Sequence, residues 1–65
     1  MNRIKKYRKE RGLTQRKLSD KLYISLSTMS SWEHGRHYPS IPDAVRLAET
    51  LGCSLDSLFR GGSYV

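Results

Sequence analysis

A chain of 65 residues with a net charge of +6 and a single cysteine is long enough for one domain only. The single cysteine excludes an intramolecular disulfide. One cysteine and two histidines are too few ligands for a four-coordinate zinc site. No stretch approaches the roughly 18 apolar residues of a membrane span, and no apolar segment follows the basic N-terminus as in a secretory signal. We therefore expect a small intracellular protein without a metal.

The basic residues are distributed unevenly. Nine of the twelve lie in the first 21 positions, where only Glu10 and Asp20 oppose them, whereas after Ser40 two arginines face three carboxylates. A polyanion would be attracted to the first part of the chain. A solvated basic helix face is the alternative, and an anionic membrane surface is disfavoured because the basic helix lacks a wide apolar face.

Hydrophobic spacing and capping signals predict five helices and no strand. The first covers Asn2 to Arg11 and ends at Gly12, which tolerates the left-handed conformation. Thr14 is a good N-cap for a second helix that runs to about Leu22.

The third helix follows Ser25 and is closed by Gly35. Ser40 caps the fourth helix, which Gly52 ends, and Ser54 caps a short fifth helix. The pattern predicts an all-α, compact five-helix domain over residues 1–60 with a short tail over 61–65. Met29 and Trp32 face the core.

A turn of only four residues, Leu22 to Ser25, joins the second and third helices. So short a turn makes the helices cross steeply, at about 90–120°, as in a helix-turn-helix. Leu26, Ser27 and neighbouring serines then face outward from the third helix.

Four ordered motifs extend from Arg8 to Phe59: R-K-E-R-G-L-T-Q-R-K-L-S, S-T-M-S-S-W-E-H-G-R, Y-P-S-I-P and L-G-C-S-L-D-S-L-F. Together they resemble the phage-repressor and Cro-like (XRE) helix-turn-helix family. Single words such as G-L-T-Q are weak signals, but their combination at these spacings is specific. The resemblance implies a lambda-repressor-like fold and a double-stranded DNA-binding transcriptional regulator, with the segment Leu26 to His34 in the major groove.

The resemblance also implies individual roles. Base contacts are expected from the exposed face of the third helix, chiefly at Leu26, Ser27 and Ser31, with Thr28 and Ser30 as secondary candidates. Phosphate contacts are expected at Gln15, Arg16, Arg36, His37, Tyr38 and Arg8. Arg8 is also expected to pair with Glu33 and so to fix the third helix against the first; an independent, solvated Arg8 is the alternative.

Two positions depart from the family pattern. Tyr23 stands where glycine is usual, and positive φ there would strain it by on the order of 1 kcal/mol. Ser19 replaces a usual alanine, a mild change if its hydroxyl bonds back to the helix.

Five of the seven residues from Ser25 to Ser31 are Ser or Thr, without the Gln, Asn or Arg needed for bidentate base readout. Leu26 can pack on a thymine methyl, and DNA shape or bridging water would carry more of the specificity.

Family members usually bind a twofold-symmetric operator as homodimers. The candidate dimer residues are Leu55, Leu58 and Phe59, with Tyr64 and Val65, although they could instead only close the monomer core.

No carboxylate pair, nucleophile–base set or phosphate loop suggests an enzyme, and Cys53 is expected to be a core thiol. No cofactor or small-molecule ligand is implied. The expected protein is a bacterial or phage-encoded repressor in the cytoplasm, associated with the nucleoid. The alternative is a protein-interaction module on the same fold, such as an antitoxin or a partner of another regulator.

Overall fold

The computed structural model describes residues 2–59, which form five helices and contain no strand. The helices are α1 (Ile4–Glu10), α2 (Gln15–Leu22), α3 (Leu26–Glu33), α4 (Ile41–Leu51) and α5 (Leu55–Phe59). The predicted all-α, five-helix architecture is confirmed. The predicted tail, with Tyr64 and Val65, and the first and last residues of the predicted domain lie outside the described residues.

Hydroxyl side chains begin four of the five helices. Each hydroxyl oxygen accepts a hydrogen bond of 3.0–3.3 Å from the backbone N–H three residues later. The four capping residues are Thr14, Ser25, Ser40 and Ser54. Each cap satisfies a donor that has no partner inside the helix, and its replacement by alanine typically costs about 1 kcal/mol.

The first helix is shorter than its spacing predicts. The Oδ1 atom of Asn2 accepts a hydrogen bond of 3.1 Å from the Ile4 N–H, and its Nδ2 atom donates to the Trp32 carbonyl at 2.8 Å. Asn2 therefore lies before α1 and ties the start of the described chain to α3, so the predicted start at Asn2 is wrong by two residues.

One apolar core joins all five helices. Its buried members are Ile4, Leu18, Leu22, Met29, Trp32, Ala44, Leu47, Ala48, Leu51, Leu58 and Phe59. Both aromatic and thioether side chains of α3 belong to it, since Met29 is fully buried and Trp32 is 4% exposed. None of the helices in residues 2–59 has the length and apolarity needed to cross a membrane.

Candidate nucleic-acid interface

The recognition helix candidate, α3, has two different faces. Met29 and Trp32 lie in the core, whereas Leu26 is 42% exposed and Ser27 is also exposed. Thr28, Ser30 and Ser31, the other predicted base-contact residues, are half-buried. The most open part of α3 is therefore its first turn.

Two of the predicted hydroxyl contacts already have partners inside the protein. The Ser25 hydroxyl donates to Oγ1 of Thr28 at 2.8 Å while capping the helix. The Ser30 hydroxyl lies 3.4 Å from Nδ1 of His34, and that ring nitrogen lies 2.8 Å from the Ser30 carbonyl. Leu26, Ser27 and Ser31 are left as the α3 side chains with fewest internal commitments.

The predicted pair of Arg8 and Glu33 is in contact. Nε of Arg8 lies 2.6 Å from Oε2 of Glu33, and Nη2 donates to Oε1 at 3.3 Å. The two side chains are only 9% and 2% exposed. This bidentate ion pair joins α1 to the C-terminal end of α3 away from solvent.

A third residue completes this buried cluster. Nε2 of Gln15 donates to Oε1 of Glu33 at 3.0 Å, and Nη1 of Arg8 donates to the Leu13 carbonyl at 2.8 Å. The Glu33 carboxylate thus holds α1, the start of α2 and the end of α3 together. The Gln15 contact was not predicted from the sequence.

The predicted phosphate contacts lie in different environments. Gln15 is half-buried at the first position of α2. Four others are exposed, namely Arg16, Arg36, His37 and Tyr38. Arg8 has its guanidinium committed to Glu33 and Leu13, and it is the one buried member of the nine basic residues before position 22. These bonds give Arg8 a structural role, and its phosphate contact stays a prediction.

The turn between α2 and α3 contains the positive φ angle that was expected to strain Tyr23. Tyr23 has φ 57° and ψ 41°, the left-handed region, and is 91% exposed. Its ring therefore gains little packing to offset the unfavourable backbone. At Ser19, the hydroxyl donates back to the Arg16 carbonyl at 2.9 Å, which satisfies a polar group that is 2% exposed.

Two arginines hold helix ends in a way that sequence reasoning missed. Nη2 of Arg46 donates to the Leu22 carbonyl at 2.8 Å, and Nε of Arg11 donates to the Leu51 carbonyl at 2.9 Å. Because the last carbonyls of a helix have no N–H partner within it and carry partial negative charge, cationic donors suit them. The sequence shows one arginine at the end of the first helix and one within the fourth, but not which distant helix end each of them reaches.

An apolar groove lies between α4 and α5, on a part of the surface formed by neither α2 nor α3. It has a volume of about 300 Å³ and is lined by Ile41, Ala44, Leu55, Asp56 and Phe59. Ile41 is 71% exposed and Leu55 is 38% exposed.

The three predicted dimer residues are therefore not equivalent. Leu55 is at the open groove and Phe59, 7% exposed, lines it, but Leu58 is fully buried in the core. Leu58 therefore has the alternative role that the sequence left open, which is to close the monomer core.

The potential metal ligands among residues 2–59 are dispersed. Within residues 2–59, no group of three or more His, Cys, Asp or Glu side chains is placed to hold a metal ion. Cys53 is half-buried against the core. Burial raises the pKa of its thiol, and the nearby Arg11 cation opposes this with a smaller effect.

Comparison with known proteins agrees with this geometry. The model of the helix-turn-helix family matches residues 4–58. An uncharacterised helix-turn-helix transcriptional regulator of Methanothermobacter thermautotrophicus is 41% identical over 49 residues, covering 75% of this chain and 71% of that protein. The transcriptional activator BcrR of Enterococcus faecalis is 29% identical over 91% of this chain, which spans 29% of the activator's length.

Two solved structures are similar in fold. A protein from Bacteroides fragilis described as DNA-binding has a TM-score of 0.81 and 33% identity, covering 89% of this chain and 94% of its own. A chain from the SinR–SinI protein complex also has a TM-score of 0.81 and 33% identity, covering 91% of this chain and 58% of its own. This chain therefore belongs to the XRE-type helix-turn-helix family, as its ordered motifs predicted.

Proposed function

We propose that this chain is a DNA-binding transcriptional regulator that inserts α3 into the major groove of a twofold-symmetric operator as a homodimer and represses transcription. One observation carries the proposal: the inner face of α3 is fixed in the core and its C-terminal end is held by an ion pair, while its outer face is open to solvent. Met29 and Trp32 anchor its inner face and Glu33 is pinned by Arg8, while Leu26 and Ser27 are exposed. A helix fixed in this way presents its outer side chains rigidly, as readout of base edges requires.

The base contacts are assigned to Leu26, Ser27 and Ser31, with Thr28 and Ser30 in secondary roles because their hydroxyls already have internal partners. Leu26 is suited to a thymine methyl. The serines have short reach and bond bases directly or through ordered water, so DNA shape supplies a larger share of specificity.

The phosphate contacts are assigned to two places that flank α3. The start of α2 offers Gln15, Arg16 and unpaired backbone N–H groups, and its first turn contains no acidic residue. Gln15 uses one amide hydrogen for Glu33 and keeps a second for a phosphate oxygen. The loop after α3 offers the exposed Arg36, His37 and Tyr38.

The dimer is assigned to the groove between α4 and α5. Ile41 and Leu55 line this groove and are 71% and 38% exposed, and apolar side chains left open in one protomer suit an interface between two copies. We infer a twofold axis through this groove, because a dimer that binds such an operator must present its two α3 helices to half-sites about one helical turn apart. Leu58 is excluded from the interface by its burial.

Repression is the simplest effect of a bound domain of this size, since it blocks polymerase and offers little surface for recruitment. The relative BcrR is named an activator, so a promoter–reporter fusion is the measurement that decides the sign. We propose that the protein acts in the cytoplasm as a DNA-binding regulator and not as an enzyme, in keeping with relatives that are named transcriptional regulators.

Selection of bound sequences from random double-stranded DNA tests the proposal. We expect enrichment of a twofold-symmetric motif whose half-sites are centred about 10 base pairs apart. Leu26→Ala should weaken binding to the enriched site while the slope of log affinity against log salt stays the same, because no phosphate contact is lost. Glu49→Ala, an exposed change on α4, is the control. No enrichment, or an equal loss for Leu26→Ala on random DNA, would contradict the proposal.

The dimer is tested separately by analytical ultracentrifugation at micromolar concentration, with and without operator DNA. Ile41→Asp and Leu55→Asp should each convert the dimer to a folded monomer, because both side chains are exposed within one protomer. Variants that dimerise as well as the parent chain would contradict the assigned interface.

The second candidate is a protein-interaction module on the same fold, and the apolar groove is the observation that favours it. Salt dependence separates the two functions. A DNA binder loses affinity steeply as salt rises, because each neutralised phosphate releases counterions. An interaction through the groove between α4 and α5 would depend on salt only weakly.

A further inference from the structure

The C-terminal end of α2 depends on a contact from outside the helix-turn-helix. The Ser19 carbonyl accepts from the Ile24 N–H at 3.0 Å, and the Asp20 carbonyl accepts from the Tyr23 N–H at 3.3 Å. The Leu22 carbonyl instead accepts the 2.8 Å bond from Nη2 of Arg46 on α4. A guanidinium donor makes this a charge-assisted hydrogen bond, stronger than a neutral one.

That carbonyl belongs to the peptide group that joins Leu22 to Tyr23. The orientation of this peptide plane sets the φ angle of Tyr23, which in residues 2–59 is the one non-glycine residue with positive φ. Left-handed backbone at a non-glycine residue persists where the surroundings hold it in place. The Tyr23 ring, 91% exposed, cannot provide this restraint by packing.

Arg46 also forms an ion pair with a residue of its own helix. Its Nη1 atom lies 3.3 Å from Oδ1 of Asp43, three residues earlier on α4. Both side chains are substantially exposed, at 44% and 37%, so the ion pair adds little to stability by itself. The same guanidinium thus contacts Asp43 through Nη1 and the Leu22 carbonyl through Nη2.

We propose that Arg46 is a positioning residue of the helix-turn-helix: it fixes the Leu22–Tyr23 peptide and thereby the angle at which α3 leaves the turn. Only Tyr23, Ile24 and Ser25 separate α2 from α3. A rotation at the first of these displaces the Ser25 cap and the first turn of α3.

The first test measures the turn alone. Arg46→Met keeps the alkyl stem and removes the donors, and it should raise the amide hydrogen-exchange rate of Ile24 about tenfold relative to core amides such as that of Leu47. Arg46→Lys, which keeps one charged donor, should restore part of the protection. Lys21→Met removes a positive charge from the exposed last turn of α2 and should leave Ile24 unchanged.

The same substitution is then made in a Tyr23→Gly background. Glycine adopts positive φ without strain, so the effect of Arg46→Met on Ile24 exchange should fall to less than about threefold, a coupling that a double-mutant cycle measures. A general surface role for Arg46 would give equal effects in both backgrounds. Equal effects, or no change at Ile24, would overturn the proposal.

The second test measures DNA affinity and rests on the proposed function. On the selected operator, Arg46→Met should weaken binding about tenfold, or about 1.4 kcal/mol, with Arg46→Lys intermediate. Lys21→Met, matched for loss of one charge, should weaken it by less than about threefold. A faster Ile24 exchange with unchanged affinity would overturn the link from the turn to α3. If the parent chain selects no DNA site, the proposed function fails, and the exchange cycle still decides the role of Arg46.

Discussion

All five helices share one apolar core, but α3 depends more on polar contacts for its position than α4 and α5 do. Only two residues of α3 are buried, and its orientation depends on polar anchors: Glu33 to Arg8 and Gln15, and the Trp32 carbonyl to Asn2. In contrast, α4 buries four of its eleven residues, all apolar. The difference teaches that a short helix with a polar outer face needs hydrogen bonds and charge in addition to its few core residues. We therefore expect α3 to be sensitive to polar substitutions, and α4 and α5 to be more sensitive to changes in side-chain volume.

The largest effect should come from breaking the buried ion pair. Glu33→Gln leaves the Arg8 guanidinium, 9% exposed, without its counter-charge, and removal of one partner of a buried pair typically costs about 3–5 kcal/mol. Urea unfolding measures the loss. Glu49→Gln, on the exposed side of α4, should change the unfolding free energy by less than about 0.5 kcal/mol. A loss below about 1 kcal/mol for Glu33→Gln would mean that α3 does not depend on this anchor.

The next effect compares two leucines of α5. Leu58→Ala removes a fully buried side chain and should cost about 2–4 kcal/mol through lost burial and a residual cavity. Leu55→Ala removes one that is 38% exposed and should cost less than about 1 kcal/mol. Thermal unfolding of both variants at one protein concentration makes the comparison. Similar losses would show that the open groove contributes to the core.

A smaller effect, of opposite sign, is expected in the turn. Tyr23→Gly relieves the left-handed strain of a residue with φ 57°, and the gain is partly offset by the greater entropy of glycine in the unfolded chain, for a net stabilisation of about 0.5–1 kcal/mol. The unfolding free energy from urea titration measures it. Tyr23→Ala, which loses the same exposed ring but keeps a Cβ atom, is the control and should show no such gain.

The smallest effect concerns Cys53. Burial raises its pKa more than Arg11 lowers it, so at a given pH the native protein contains less thiolate than the unfolded chain. Alkylation by iodoacetamide at pH 8 should therefore be slower in the native protein than in urea. The linked stability is complete at low pH and is lost as the pH rises through the raised pKa of the folded state. Equal alkylation rates in the native and unfolded chains would contradict this environment.

Local features of the fold were predictable because they depend on neighbouring residues. The caps at Thr14, Ser25, Ser40 and Ser54 follow from hydroxyls at helix starts. The buried positions of Met29 and Trp32 follow from spacing within one helix. The strained Tyr23 and the internally bonded Ser19 follow from comparing single positions with the family pattern.

The features that escaped prediction are contacts of long side chains with distant partners. Gln15 reaches a carboxylate 18 residues away, Arg46 a carbonyl 24 residues away and Arg11 a carbonyl 40 residues away. Each partner is chosen by how the helices pack, which hydrophobic periodicity does not specify. The same reason left the two roles of Leu55 and Leu58 unresolved, since both are leucines on one short helix and only packing decides which one α5 buries.

The separation of faces on α3 has a consequence for how a protein of this kind can change over generations. Exposed positions such as Leu26 and Ser27 are outside the core and outside the Glu33 cluster. Substitutions at exposed sites of this kind usually alter the unfolding free energy by less than about 0.5 kcal/mol. Mutation can therefore sample new surface chemistry on this helix without passing through unfolded variants, so one scaffold can diversify into many lineages whose differences are confined to a few side chains.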